Sequence, residues 1–133
     1  MNKLNFSIAE LCASDTARKY NISNTPNIQQ ADNMMKLIVY CLQPIRDKLG
    51  KAMNVSSGFR CPALNQLVHG VSNSQHLEGK AIDFTVSGMN VAEVVNFIKN
   101  SGIEYDQLIN EYNRWTHISY NHGSNRKQVL KYS

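Results

Sequence analysis

The 133-residue chain reads as an α+β protein, with N-terminal helices packed on a mainly antiparallel sheet of about four strands. Three observations lead there. Apolar residues in the first half recur at three- and four-residue steps, the spacing of one helix face. In the second half they gather in short runs rich in β-branched and aromatic side chains, which suit a pleated surface. A single further helical stripe interrupts those runs, so helices and strands are segregated rather than strictly alternating.

The elements follow in order. Ser7 and Glu10 stand at capping-box spacing ahead of Leu11 and Cys12 and open a first helix. Asn24, Thr25 and Pro26 make a turn. Across 29–49, Met34, Leu37, Ile38, Cys41, Leu42 and Ile45 line one face of a long core helix that Gly50 caps. Pro44 lies inside it and should kink or divide it, because proline lacks the N–H and its ring crowds the preceding turn. Residues 51–57 read as a strand leading into Gly58, and 62–68 as a short helix. A strand follows at 81–86, with Ile82, Thr85 and Val86 around Phe84. Residues 90–100 form a helix with Val91, Val94, Val95 and Ile98 on one stripe, closed by Gly102. Segments 105–112, 115–120 and 128–132 read as strands. No repeat, linker or low-complexity stretch divides the chain, so residues 1–133 are taken as one domain.

Composition narrows the function. With 42% hydrophobic residues and mixed charge the chain can bury a core without metal or disulfide staples. Its longest apolar run, 37–42, falls far short of the roughly 20 residues a membrane span needs. In MNKLNFSIAELCAS the residues Asn5, Ser7 and Glu10 interrupt any apolar run of the signal-peptide kind, so synthesis and initial retention in the cytosol are expected. Cys12, Cys41 and Cys61 are odd in number with no CxxC pair, and read as buried or partly buried free thiols. A net charge of +4 favours an anionic partner, and nucleic acid, anionic lipid and cell-wall polymer all qualify. The one dense basic cluster, Arg126, Lys127 and Lys131, reads as a solvated face. No zinc-knuckle or ribonucleoprotein motif accompanies it, so no specific nucleic-acid partner is expected; the chain is expected to be a monomer.

The sheet half contains a chemical constellation. In SQHLEGKAIDF, His76 precedes a strand and Asp83 lies on it, while His117 lies on a later strand. Two neutral imidazoles and a carboxylate suit zinc and leave a fourth position for water. The spacing from His76 to Asp83 works if the chain reverses at Gly79, where a residue without a Cβ can take a conformation others resist. Along WTHISY, Trp115, His117 and Ser119 share one face and Thr116, Ile118 and Tyr120 the other, and alternation alone does not say which is core. If His117 is a ligand, Trp115 borders the cleft. Glu111 is the best-placed general base, because a tight turn at Tyr112-Asn113-Arg114 would bring it to the same cleft. Asp106 and Glu104 rank lower, and Glu78 is expected to face solvent. Taken singly, each histidine also reads as a structural or surface residue, and Asp83 as a strand-end hydrogen bonder.

SSGFRCPALNQLVHGVSNSQHLEGKAIDF followed by INEYNRWTHISY resembles the zinc D-Ala-D-Ala metallopeptidase family. That family includes D-Ala-D-Ala carboxypeptidases, dipeptidases and many bacteriophage endolysins, with lysostaphin-type peptidases and the hedgehog signalling domain as larger relatives. The string Ser74, His76, Gly79, Ala81, Asp83 stands intact, and FSIAELCASDTA and LQPIRDKLG resemble the small phage-associated branch. The resemblance implies a hedgehog/D-Ala-D-Ala-peptidase-like fold and one Zn2+ per chain, held by His76, Asp83 and His117. Glu111 matches the offset of the catalytic glutamate in hedgehog-like relatives. Other members carry an acidic residue three positions before the last histidine, where this chain has Arg114. Many carry a histidine two positions before it, where Trp115 stands here as a cleft-bordering substrate contact. Arg60 matches the family arginine that binds the peptide, with a structural salt bridge as its other reading. Ser74 is either a substrate contact or a turn residue. His69 and His122 match no ligand position and are expected on the surface.

The expected function is hydrolysis of peptide bonds in peptidoglycan stem peptides or cross-links, in the manner of a phage or prophage endolysin. Such an enzyme acts on the cell wall after release from the cytoplasm. Two alternatives stand beside it: a D-Ala-D-Ala carboxypeptidase or dipeptidase, and a catalytically silent zinc-binding recognition domain.

Overall fold

The stripe at 29–49 is three consecutive helical segments in the computed structural model, which describes residues 3–133. Asn27 starts it with a reciprocal capping box: its side chain accepts the Gln30 N–H, and the Gln30 side chain accepts the Asn27 N–H. Helix α3 (Ile28–Leu37) passes into a π-helical turn at Ile38–Leu42 and then into α4 (Gln43–Leu49). Pro44 accounts for the division. It cannot donate to the carbonyl four residues back and its ring crowds that group, and a wider preceding turn relieves both. The Gln43 N–H accordingly reaches the Ile38 carbonyl, five residues away. Ahead of this run lie two single-turn helices, α1 (Ile8–Cys12) and α2 (Asp15–Lys19), capped by the Ser7 and Ser14 hydroxyls.

Among the described residues five strands form one sheet, one more than expected: β1 (Met53–Ser57), β2 (Ala81–Val86), β3 (Gln107–Glu111), β4 (Trp115–Ser119) and β5 (Gln128–Tyr132). Their order is β1-β2-β4-β3-β5. Every pairing is antiparallel except β3 with β5. All five segments read as strands in the sequence are present; the expected sheet of about four fell one short because nothing local shows that the largely exposed β5 pairs into the same sheet. Two more helices complete the fold: α5 (Pro62–Leu67) after β1, and α6 (Val91–Lys99), which packs on β2, β3 and β4.

The sheet's two faces do different things. Ile82 and Phe84 of β2, Leu108 of β3 and Ile118 of β4 turn towards the helices and join Leu37, Ile38, Leu42, Ile45, Val94 and Ile98 in the core. Residues of opposite parity, Asp83, Ile109, Glu111, Trp115 and His117, line a cleft on the other face. The alternation along β4 is thereby resolved, with Ile118 and Tyr120 in the core and His117 and Trp115 at the cleft. All three cysteines are free thiols, and burial pushes that of Cys41 far up. Among the described residues no helix is long and apolar enough to cross a membrane.

Candidate active site

His76 sits in a short 3₁₀ turn, Gln75–Glu78, whose first N–H groups need an acceptor. Ser74 supplies it: its Oγ accepts the His76 N–H at 3.2 Å, so the hydroxyl serves the turn as well as lining the cleft. Gly79 closes the turn at φ +74°, and a Cβ there would fall 2.6 Å from the Gln30 carbonyl oxygen. Helix α3 grips the same turn through Gln30 Nε2 to the Leu77 carbonyl and Asn33 Nδ2 to the Glu78 carbonyl. Asp83 and His117 come from adjacent strands and are direct cross-strand partners, which is why 34 residues of separation bring their side chains together.

Asp83 Oδ1 lies 3.3 Å from His76 Nε2 and 3.1 Å from His117 Nδ1. Ligands about 2.0–2.1 Å from one tetrahedral ion sit about 3.3 Å from each other, so this spacing fits a shared metal. One donor atom from each of the three residues lies within 4.8 Å of the others. The His76 ring is already oriented. Its Nδ1 is 2.7 Å from the Gly58 carbonyl, which can only accept, so Nδ1 carries the proton and Nε2 presents its lone pair to the site. Burial alone would raise the Asp83 carboxyl. Its close contacts with the His117 and His76 rings outweigh burial and hold the group well below the usual carboxylate range. Asp83 is therefore an anion, the form that could hold a metal ion.

The remaining predicted residues surround this centre. Arg60 Nη2 is 3.5 Å from Asp83 Oδ2, while its Nε and Nη1 donate to Ser57 and to Asn65. Its side chain is only 14% exposed, so the salt-bridge reading describes its present contacts, and it lines the cleft as well. Burial lowers its pKa, with Asp83 and Glu111 opposing. Glu111 lines the cleft, and its Oε2 accepts the Trp115 indole N–H. The β3–β4 turn brings these two side by side: Tyr112 and Asn113 take φ of 59° and 57°, and the Arg114 N–H closes on the Glu111 carbonyl. Arg114 is exposed and lines a different, smaller pocket beside α6, so the position that is acidic in other relatives does not reach this cleft. Asp106 is buried in an ion pair with Arg126, and Glu78 is exposed.

Some cleft residues were not foreseen. The cleft has a volume of about 610 Å³. His69, expected on the surface, is exposed but borders it, and so does Arg126, expected on a solvated face. Lys127 of the same cluster pairs with Glu104 at 3.1 Å. Tyr112 and Tyr132 stand with Trp115 along one wall, their rings 6.2–6.4 Å from that of Tyr112. Only the parity of β5 could have pointed to Tyr132, since 128, 130 and 132 share a face with Ile109 and Glu111 once β5 is paired to β3. His122 belongs elsewhere, stacked on Tyr40 with ring centroids 4.9 Å apart.

Two imidazoles and a buried carboxylate around one point, with a second carboxylate across an open cleft, define the class: a metal-binding hydrolase centre. The family model described as Peptidase M15 matches residues 4–119, nearly the whole chain and all of this site except what β5 and the loop before it add. The chain belongs to the peptidase M15 family, and it is a metallopeptidase by that membership. No curated protein sequence matches it significantly.

Proposed function

We propose that this chain is a zinc-dependent peptidase that hydrolyses peptide bonds in peptidoglycan stem peptides or cross-links. The observation that carries the reading is the convergence of His76 Nε2, Asp83 Oδ1 and His117 Nδ1 at ligand spacing on the floor of the cleft. His76, Asp83 and His117 would hold a zinc ion, which would supply Lewis acidity to polarise a carbonyl and to bring the pKa of a water towards 7. The chain's own groups do the rest. Glu111 takes the proton of the attacking water and returns it to the leaving amine. The Trp115 indole N–H holds one Glu111 oxygen, which leaves the other free to take a proton. The Arg60 guanidinium, 3.5 Å from Asp83 and lining the cleft, supplies positive charge for a substrate carbonyl or carboxylate. Ser74 acts by holding the His76 turn.

The cellular role we propose is that of an endolysin, made in the cytoplasm and acting on the wall after release. The net charge of +4 would favour contact with an anionic wall. Endopeptidase and D-Ala-D-Ala carboxypeptidase action share this centre and differ in products, which analysis of digests of defined stem peptides separates. The test of the whole reading is zinc content with peptidoglycan hydrolysis for the native chain, His76→Ala and Glu111→Ala. About one zinc per chain is expected, lost in His76→Ala. Glu111→Ala should keep its zinc while kcat falls at least ~100-fold, the scale of a general acid–base contribution. Zinc bound with no cleavage of any wall would leave a recognition domain instead.

A further inference from the structure

Residues 120–133 lie beyond the segment the family model matches, yet Arg126 and Tyr132 from this stretch help to wall the cleft. Arg126 differs from the other cleft arginine. Arg60 has all three guanidinium nitrogens engaged, by Ser57, Asn65 and Asp83, and is 14% exposed. Arg126 is 56% exposed and commits a single edge, with Nε on Asp106 Oδ1 at 2.9 Å and Nη2 on Asp106 Oδ2 at 2.8 Å. Among the described residues nothing engages Nη1, so the Nη1–Nη2 edge stays open.

That fork is also held in place. Asp106 is 1% exposed and accepts the Arg126 backbone N–H at 2.9 Å and Gln75 Nε2 at 2.8 Å. The Gln128 N–H meets the Asp106 carbonyl at 2.9 Å, tying the group to the start of β5. A planar guanidinium fixed on one edge presents the other for two parallel hydrogen bonds, the geometry a carboxylate matches. Because the side chain is already ordered, little conformational freedom is lost on binding. Asp106 offsets part of the charge, so recognition leans on the geometry of the fork as much as on attraction.

Its position relative to the metal centre follows from the register. Asp83, His117, Ile109 and Leu130 form one row across the sheet. Glu111 lies on one side of that row along β3, and Asp106 with Arg126 on the other. Asp106 is three residues from Ile109 in sequence, which at about 3.3 Å per strand residue is roughly 10 Å, the span of about three residues of extended peptide.

We infer that Arg126 is a receptor for a substrate carboxylate, carried about three residues from the scissile bond of the peptide. The inference rests on the peptidase reading and sharpens it: the preferred substrate is an acidic peptide, held at one end by Arg126 and cut at the metal row.

The test uses zinc-loaded protein and synthetic stem peptides in matched pairs, differing only in that one side-chain or α-carboxylate is replaced by its carboxamide, at each position in turn. Two readouts are taken: kcat/KM, and binding followed by the fluorescence of Trp115, the single tryptophan of the chain, which lies in the cleft. The native protein is expected to favour the acid over the amide at one position about tenfold or more, the scale of a charge-assisted hydrogen bond. In Arg126→Gln that ratio should fall to near one, and Arg126→Lys, which keeps the charge and loses the fork, should lie between. Gln can still donate to Asp106, and the acid–amide comparison on native protein does not depend on any variant folding. Cleavage with an acid preference that survives in Arg126→Gln, or with no acid preference at all, overturns the receptor and leaves the peptidase standing. Absence of cleavage with acid-selective binding that Arg126→Gln abolishes keeps the receptor and removes the peptidase. Neither cleavage nor acid-selective binding removes both.

Discussion

Gly79 ties the conformation of one residue to the candidate metal ligand three positions earlier, His76. Its φ of +74° and the Gln30 carbonyl 2.6 Å from where a Cβ would stand leave room for glycine alone. Gly79→Ala should therefore lower stability by about 1–3 kcal/mol through backbone strain and displacement of α3. Because the same turn aims His76 Nε2, zinc affinity should fall with it. Urea unfolding and a zinc titration read the two effects; a variant unchanged in both would show that the turn tolerates a side chain and does not set the ligand. His76 illustrates the same economy of position. Its Nδ1 is fixed by the Gly58 carbonyl and its backbone carbonyl accepts the Arg60 N–H, so the residue that orients the ligand and the residue that flanks it come from one loop.

At the scale of elements, the N-terminal helices act as a clamp on the loops that carry the site. Gly58 approaches α1 so closely that a Cβ would lie 2.1 Å from the Leu11 carbonyl oxygen, which accepts the Phe59 N–H at 2.7 Å. Asn24, in the turn before α3, joins both sides: Nδ2 donates to the Cys12 and Phe59 carbonyls, and Oδ1 accepts the Cys61 N–H at 2.7 Å. Asn24→Ala leaves these backbone groups without partners and should cost about 2–3 kcal/mol. Amide hydrogen exchange should quicken at residues 59–61 before it does in the sheet. Protection at Phe59 and Cys61 that matches the native chain would mean that the clamp is held by packing and not by Asn24.

For the whole molecule, folding and metal binding should be linked, because the three candidate ligands come from a 3₁₀ turn and two strands that exist together only in the folded chain. Zinc at 100 times its dissociation constant should stabilise the protein by about 2.7 kcal/mol. That is a rise in Tm of about 10 °C for a chain of this size. Thermal unfolding with zinc and with chelator measures it, and His117→Ala should show no zinc-dependent rise. A rise that persists in His117→Ala would place the bound ion elsewhere.

The helices were legible because their signals are local: the stripe from Met34 to Ile45, Ser7 as a cap, and Pro44 as a break are all read within a few turns of chain. The same holds for the five strand segments and for the turn at Gly79, whose glycine answers to its own backbone angle. The string from Ser74 to Asp83, with His117 on its distant strand, was legible for a different reason. A metal ligand set uses few residue types at restricted offsets, and the matched family spans those residues. Tertiary structure alone decided which face of β4 is the cleft, since alternation is symmetric until a core covers one side. It decided that Arg126 and Tyr132 line the same cleft as the candidate metal site, because β5 and the loop before it reach β3 only through a non-local, parallel pairing with no buried stripe to signal it. And it decided that Asn24 holds the Arg60 loop, through bonds spanning 35 and 37 residues. Sequence patterns report which groups a residue can offer; which partner receives them depends on contacts between distant segments, and those exist only once the chain has folded.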